Sequence, residues 1–105
     1  LFFYNYKNTS INYDKDIFYI DKKMYNNGIF IRNWKDGDRM CYNAKGNRKK
    51  LKKILSELKI LPFYKKKIPI LVNKNDEIIW IIGYKKSYLD YSNIKDIVTL
   101  RWEAN

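Results

Sequence analysis

Residues 47–82, NRKKLKKILSELKILPFYKKKIPILVNKNDEIIWII, decide the fold. In the first half, Leu51, Ile54, Leu55 and Leu58 recur at i, i+3, i+4 and i+7, the spacing that gathers apolar side chains on one face of a helix. This predicts an amphipathic helix over 47–59, with Asn47 as its N-cap just beyond Gly46. The period then changes. Pro62 and Pro69 bracket a basic knot, Lys65-Lys66-Lys67, and two apolar runs follow, IPILVN (68–73) and EIIWII (77–82). Asn73-Lys74-Asn75-Asp76 between them is turn chemistry, so the pair reads as an antiparallel hairpin.

Outward from this core the chain stays rich in short strands. DIFYID (16–21) and GIFIRNW (28–34) are β-branched and aromatic runs separated by Tyr25-Asn26-Asn27-Gly28, which predicts a second strand pair. Asp36-Gly37 marks a turn, residues 1–16 read as a strand followed by a polar turn, Gly83 ends the second hairpin strand, and DIVTLRW (96–102) reads as a last strand. Trp80 belongs in the core, and packing is expected for Trp34 as well. Six short strands and one helix make a β-rich α+β domain with the helix packed on a sheet. With 105 residues, no internal repeat and no linker, 1–105 reads as one domain.

Composition excludes much chemistry. There is one cysteine and no histidine, so neither a disulfide framework nor a zinc site nor an imidazole-based triad can be built. Cys41 reads as a reduced, half-buried small hydrophobe rather than a nucleophile. No uncharged apolar run is long enough to span a membrane, and no secretory leader opens the chain. Because the sequence starts at Leu1 rather than methionine, a piece of a longer protein is expected.

Charge is unevenly placed. Lysine and arginine number 22 against 11 acidic residues, a net of +11. The abundance of Lys, Ile, Asn and Tyr is the bias of an AT-rich genome and explains part of the lysine count, but not its location. Residues 45–67 hold ten basic side chains and a single acid, Glu57, while the flanking segments are close to neutral. Such a block is an electrostatic footprint for a polyanion. Lysines around the start of a helix also oppose its macrodipole, an arrangement that a bound anion would relieve.

Four segments in order, IRNWKDGDR (31–39), KGNRKKLKKIL (45–55), KIPILV (67–72) and EIIWIIG (77–83), resemble the C-terminal domain of bacterial tRNA(Ile)-lysidine synthetase. The resemblance covers about residues 28–86, with Asp36 and Ile82 standing where the family usually has proline. It implies a sandwich-like fold related to a domain of the phenylalanyl-tRNA synthetase β subunit. The family enzyme is an ATP-dependent carbon–nitrogen ligase that attaches lysine to the wobble cytidine of a minor isoleucine tRNA. Its chemistry resides in an N-terminal PP-loop domain whose S-G-G-x-D-S motif is missing from this chain. ATP and Mg²⁺ would belong to that catalytic domain, this chain having no catalytic residue and no cofactor of its own. The implied partners are tRNA, held near its acceptor stem, and the catalytic domain; no membrane is expected, and the location is cytoplasmic.

The candidate RNA-binding residues follow. Arg32, Lys35 and Arg39 lie in the first motif, where the two arginines suit bidentate phosphate or guanine contacts. The alternative for them is structural pairing with Asp36 or Asp38. Lys45, Arg48, Lys49, Lys50, Lys52 and Lys53 would meet duplex phosphates, the alternative being a solvated face. Lys65, Lys66 and Lys67 would extend that surface or merely solubilise a loop. Two other functions compete: a peripheral module lying on anionic lipid through KKLKKILSELKILPF, and a stand-alone nucleic-acid binder.

Overall fold

The computed structural model describes residues 2–6, 16–60 and 62–102, of which 2–6, 62 and 63 are described by backbone alone. The order begins with strands β1 (Phe2–Tyr6) and β2 (Ile17–Asp21), helix α1 (Lys22–Asn27), and strands β3 (Ile29–Asn33), β4 (Arg39–Cys41) and β5 (Arg48–Lys50). Helices α2 (Leu51–Glu57) and α3 (Pro62–Lys65) follow, then strands β6 (Pro69–Asn73), β7 (Ile78–Ile81), β8 (Lys85–Lys86) and β9 (Ile97–Arg101).

Two sheets form. The smaller is antiparallel with order β1-β9-β2, so the last strand lies between the first two. The larger runs β3-β6-β7-β4-β5, with β8 on β7, and among the described residues its only parallel contact is β4 with β7. Ile70 and Val72 face α2, while Leu71 between them faces the small sheet. This makes three layers: helix, large sheet, small sheet. Both faces of β6 and β7 are therefore covered, which is why their sequences are almost uninterrupted apolar runs.

The hairpin carries a bulge. Leu71 pairs with Trp80 but Val72 pairs with Ile78, leaving Ile79 as the extra residue. The bulge puts Ile79 and Trp80 into the same core, beside Phe18, Ile20, Val98 and Leu100, while Ile78 and Ile81 join Leu51, Ile54, Leu55 and Met40 on the other side. Trp80 is fully buried with its ring 5.4 Å from that of Phe18.

The β-rich α+β class, the hairpin, the last strand and the helix-on-sheet packing agree with expectation. Three local expectations change. The predicted pair of strands around Tyr25–Gly28 does not form: β2 pairs with β9 and β3 with β6, in different sheets. Between them, Asp21 accepts a hydrogen bond from the Lys23 amide and starts the helical turn α1, which ends at Gly28 with φ +116°. The helix predicted over 47–59 is shorter, because Arg48–Lys50 extends along β4 as an edge strand. Three strands, β4, β5 and β8, are additional to the six expected. The polar turn expected before residue 16 lies outside the described residues.

Candidate nucleic-acid interface

Two groups of cations emerge once the side chains are placed. The first holds the fold together. Arg32, half-buried on β3, donates from both terminal nitrogens to the two Asp38 carboxylate oxygens, at 3.0 and 2.9 Å. Its Nε donates to Asp76 Oδ1 at 2.9 Å and its Nη1 also reaches the Asn33 carbonyl. The hydrogen bonds it donates to Asp38, against the opposing effect of burial, push the guanidinium further up. Burial pushes the Asp38 carboxyl up, but the Arg32 fork and the Lys35 backbone amide outweigh it and hold Asp38 below the usual carboxylate range. Of the two arginines, Arg32 makes the structural pair that was the alternative to RNA contact, with Asp38, while Arg39 makes no such pair among the described residues. Lys35 stands exposed, 3.8 Å from Asp76.

Arg48 and Lys49 are also engaged. Arg48 reaches Glu77 at 3.1 Å. Lys49 Nζ sits 3.2 Å from both Glu57 oxygens and 5.4 Å from the centroid of the Tyr42 ring. Lys65 donates to Ser56 Oγ at 3.2 Å, joining α3 to α2, and its carbonyl accepts from the Trp34 indole N–H. Trp34 thus packs, as expected, against the α2 side of the core.

The second group has no such engagement. Among the described residues, no carboxylate lies within ion-pair distance of Arg39, Lys45, Lys50, Lys52, Lys53 or Lys66. Arg39 and Lys50 face each other directly across the β4–β5 ladder. Like charges at that position are destabilising by about 0.2–1 kcal/mol. Lys50 is also the N-cap of α2 and offers no side-chain cap, and the first turn that follows carries Lys52 and Lys53 with no acid. Lys50, Lys52 and Lys53 thus line the junction of β5 and α2 as a short basic strip, with Arg39 opposite Lys50 on β4. The helix start is not an open amide site, however. The Leu51 N–H is already donated to the Asp38 carbonyl at 2.8 Å.

The α2 stripe itself is inaccessible: Leu51, Ile54 and Leu55 are at most 1% exposed. A helix lying on lipid needs that face outside. Among the described residues, no helix is long and apolar enough to cross a membrane, and no three His, Cys, Asp or Glu side chains are grouped to hold a metal. Cys41 is half-buried with its thiol 3.4 Å from the Asn43 carbonyl.

Sequence reasoning missed the exposed tyrosines. Tyr42 shelves Lys49, and Tyr64 and Tyr84 stand about half-exposed. The signal available for Tyr64 was its position immediately before Lys65-Lys66-Lys67.

Comparison with known proteins agrees with this architecture. Residues 29–96 match the model of the TilS substrate C-terminal domain family. The tRNA(Ile)-lysidine synthase of Thermotoga maritima is 38% identical over 59 residues, 56% of this chain and 14% of the relative. The bifunctional protein TilS/HprT of Listeria monocytogenes is 33% identical over 79 residues, 73% of this chain and 12% of that protein. The chain thus spans about one seventh of the length of such relatives. A crystal structure of a TilS C-terminal domain superposes with a TM-score of 0.78 at 25% identity, covering 98% of this chain and 82% of the other. The chain belongs to the TilS substrate C-terminal domain family.

Proposed function

We propose that this chain is the tRNA-holding part of a tRNA(Ile)-lysidine synthase and that its basic strip grips RNA backbone. The observation that carries the reading is the set of cations without an ion-pair partner among the described residues: Arg39, Lys45, Lys50, Lys52, Lys53 and Lys66. A side-chain arrangement tuned for stability alone would place acids among them, as it does for Arg48 and Lys49. Lysines act as point charges that position RNA without reading sequence, so the grip suits the duplex of an acceptor stem. Arg32 contributes by fixing the loop that precedes Arg39 rather than by touching RNA. On this reading ATP and Mg²⁺ serve a catalytic domain outside this chain, lysine is ligated to the wobble cytidine there, and the setting is the cytoplasm.

The test is a salt titration of the chain binding minor isoleucine tRNA, with elongator methionine tRNA and anionic vesicles as controls. Contacts to about six duplex phosphates give a log–log slope near −5, or a loss of about 10³-fold in affinity between ~50 and ~200 mM salt. A flat salt dependence, or binding to vesicles and not to tRNA, overturns the reading. A difference between the two tRNAs would assign the domain a share in substrate choice.

A further inference from the structure

At the end of the molecule where β7 and β9 finish, a cleft of about 420 Å³ opens between the two sheets. Its walls carry three aromatic rings, Tyr64, Tyr84 and Trp102, together with Lys67 and Asp16. Tyr64 and Tyr84 are 54% and 48% exposed, with much of their surface open to solvent. The backbone fixes all three. Tyr64 lies on α3, which the Trp34–Lys65 hydrogen bond ties down. Tyr84 follows Gly83, whose φ of +81° shapes the turn closed by the Tyr84 amide on the Ile81 carbonyl. The Trp102 amide donates to the Asp16 carbonyl at 2.8 Å.

We infer that this cleft stacks an unpaired nucleotide of the RNA whose duplex lies on the basic strip. Two observations favour that occupant. Aromatic faces stack any base that is not already paired, whereas a duplex offers them nothing. The cleft adjoins the basic run, since Lys65 and Lys66 follow Tyr64 directly, Lys67 is in the wall, and Lys65 bonds Ser56 on the helix that carries Lys52 and Lys53. The inference rests on the RNA-holding reading above and adds to it a site for single-stranded nucleotides.

The experiment compares a blunt RNA hairpin with the same hairpin bearing a short single-stranded extension that contains 2-aminopurine. The extension should tighten binding about 5- to 150-fold for one stacked base, with quenching of the 2-aminopurine fluorescence. Tyr64→Ala with Tyr84→Ala should abolish that preference and the quenching while leaving the blunt hairpin's affinity and salt slope unchanged. Tyr64→Phe with Tyr84→Phe should retain both, because stacking needs the ring and not the hydroxyl. Equal binding of the two hairpins by the unaltered chain, or a preference that survives the alanine pair, overturns the cleft assignment and leaves the basic grip standing. Failure to bind either hairpin overturns both.

Discussion

Arg32 and Asp38 form a two-pronged ion pair, 2.9 and 3.0 Å, that closes the loop between β3 and β4. Five residues lie between them, and the loop they close contains Trp34 and Lys35. The Lys35 amide donates to the same carboxylate at 2.7 Å, and Arg32 carries the connection on to Asp76 in the turn between β6 and β7. One guanidinium therefore fixes three things: the exit of β3, the entry to β4 with Arg39, and the hairpin turn. Planar bidentate pairing of this kind is specific to arginine, so lysine would not substitute.

Asp38→Asn should lower stability near neutral pH by about 1–3 kcal/mol, since Arg32 loses its charged partner in a site where Asp38 is only 7% exposed. The pH dependence follows from the depressed carboxyl. Its contribution is complete above the unfolded value of about 3.9 and is lost as pH falls through the lower folded value. Urea midpoints measured from neutral to strongly acid pH should therefore converge for the two proteins below about pH 4. Parallel curves through that region would show that Asp38 does not carry the acid sensitivity.

Trp34→Phe tests how α3 is held. The ring still packs against the α2 side of the core, but the hydrogen bond to the Lys65 carbonyl is lost. The expected cost is about 0.5–1.5 kcal/mol. Amide exchange should accelerate at 64–67 and not on β6 or β7. Uniform acceleration everywhere would mean that Trp34 supports the whole core instead.

What could be read in advance divides along local and distant causes. The β6–β7 hairpin and α2 were legible because each has its own signature, an Asn-rich turn between apolar runs and a 3.6-residue stripe. Residues 48–50 were misread as helix because Arg-Lys-Lys is compatible with either state, and only pairing with Arg39–Cys41 makes it a strand. The Tyr25–Gly28 segment failed for a related reason: its Asn and Gly suit both a hairpin turn and the end of a helical turn, and the partner strand β9 lies over seventy residues onward. Among candidate site residues, the density of charge in 45–67 was visible. Which cations are paired was not, since Arg48 meets Glu77 and Arg32 meets Asp76 across 29 and 44 residues.

Lys59→Gly should stabilise the domain. Lys59 follows α2 with φ +56°, donating its amide to the Ser56 carbonyl, a left-handed position that glycine fills without Cβ strain. Set against glycine's greater unfolded-state entropy, the gain is about 0.5–1 kcal/mol, or several degrees in Tm for a domain of this size. Lys59→Ala keeps the strain and should show no gain. If alanine stabilises as much as glycine, removal of charge and not backbone relief is the cause.

Lys50→Glu separates a binding surface from a merely solvated one. Opposite Arg39, the glutamate replaces a like-charge pair with an opposite one, for a gain of about 0.2–1 kcal/mol. At the start of α2 it also meets the positive end of the helix dipole, where a lysine is disfavoured. The variant should therefore melt higher than the parent. RNA binding should weaken at the same time, with a shallower salt slope, because one phosphate contact is removed and a repulsive charge is placed beside Arg39, Lys52 and Lys53. Stability and affinity moving in opposite directions is the signature of cations kept for a ligand at the expense of the fold. Higher melting with unchanged RNA affinity would place the grip elsewhere on the chain.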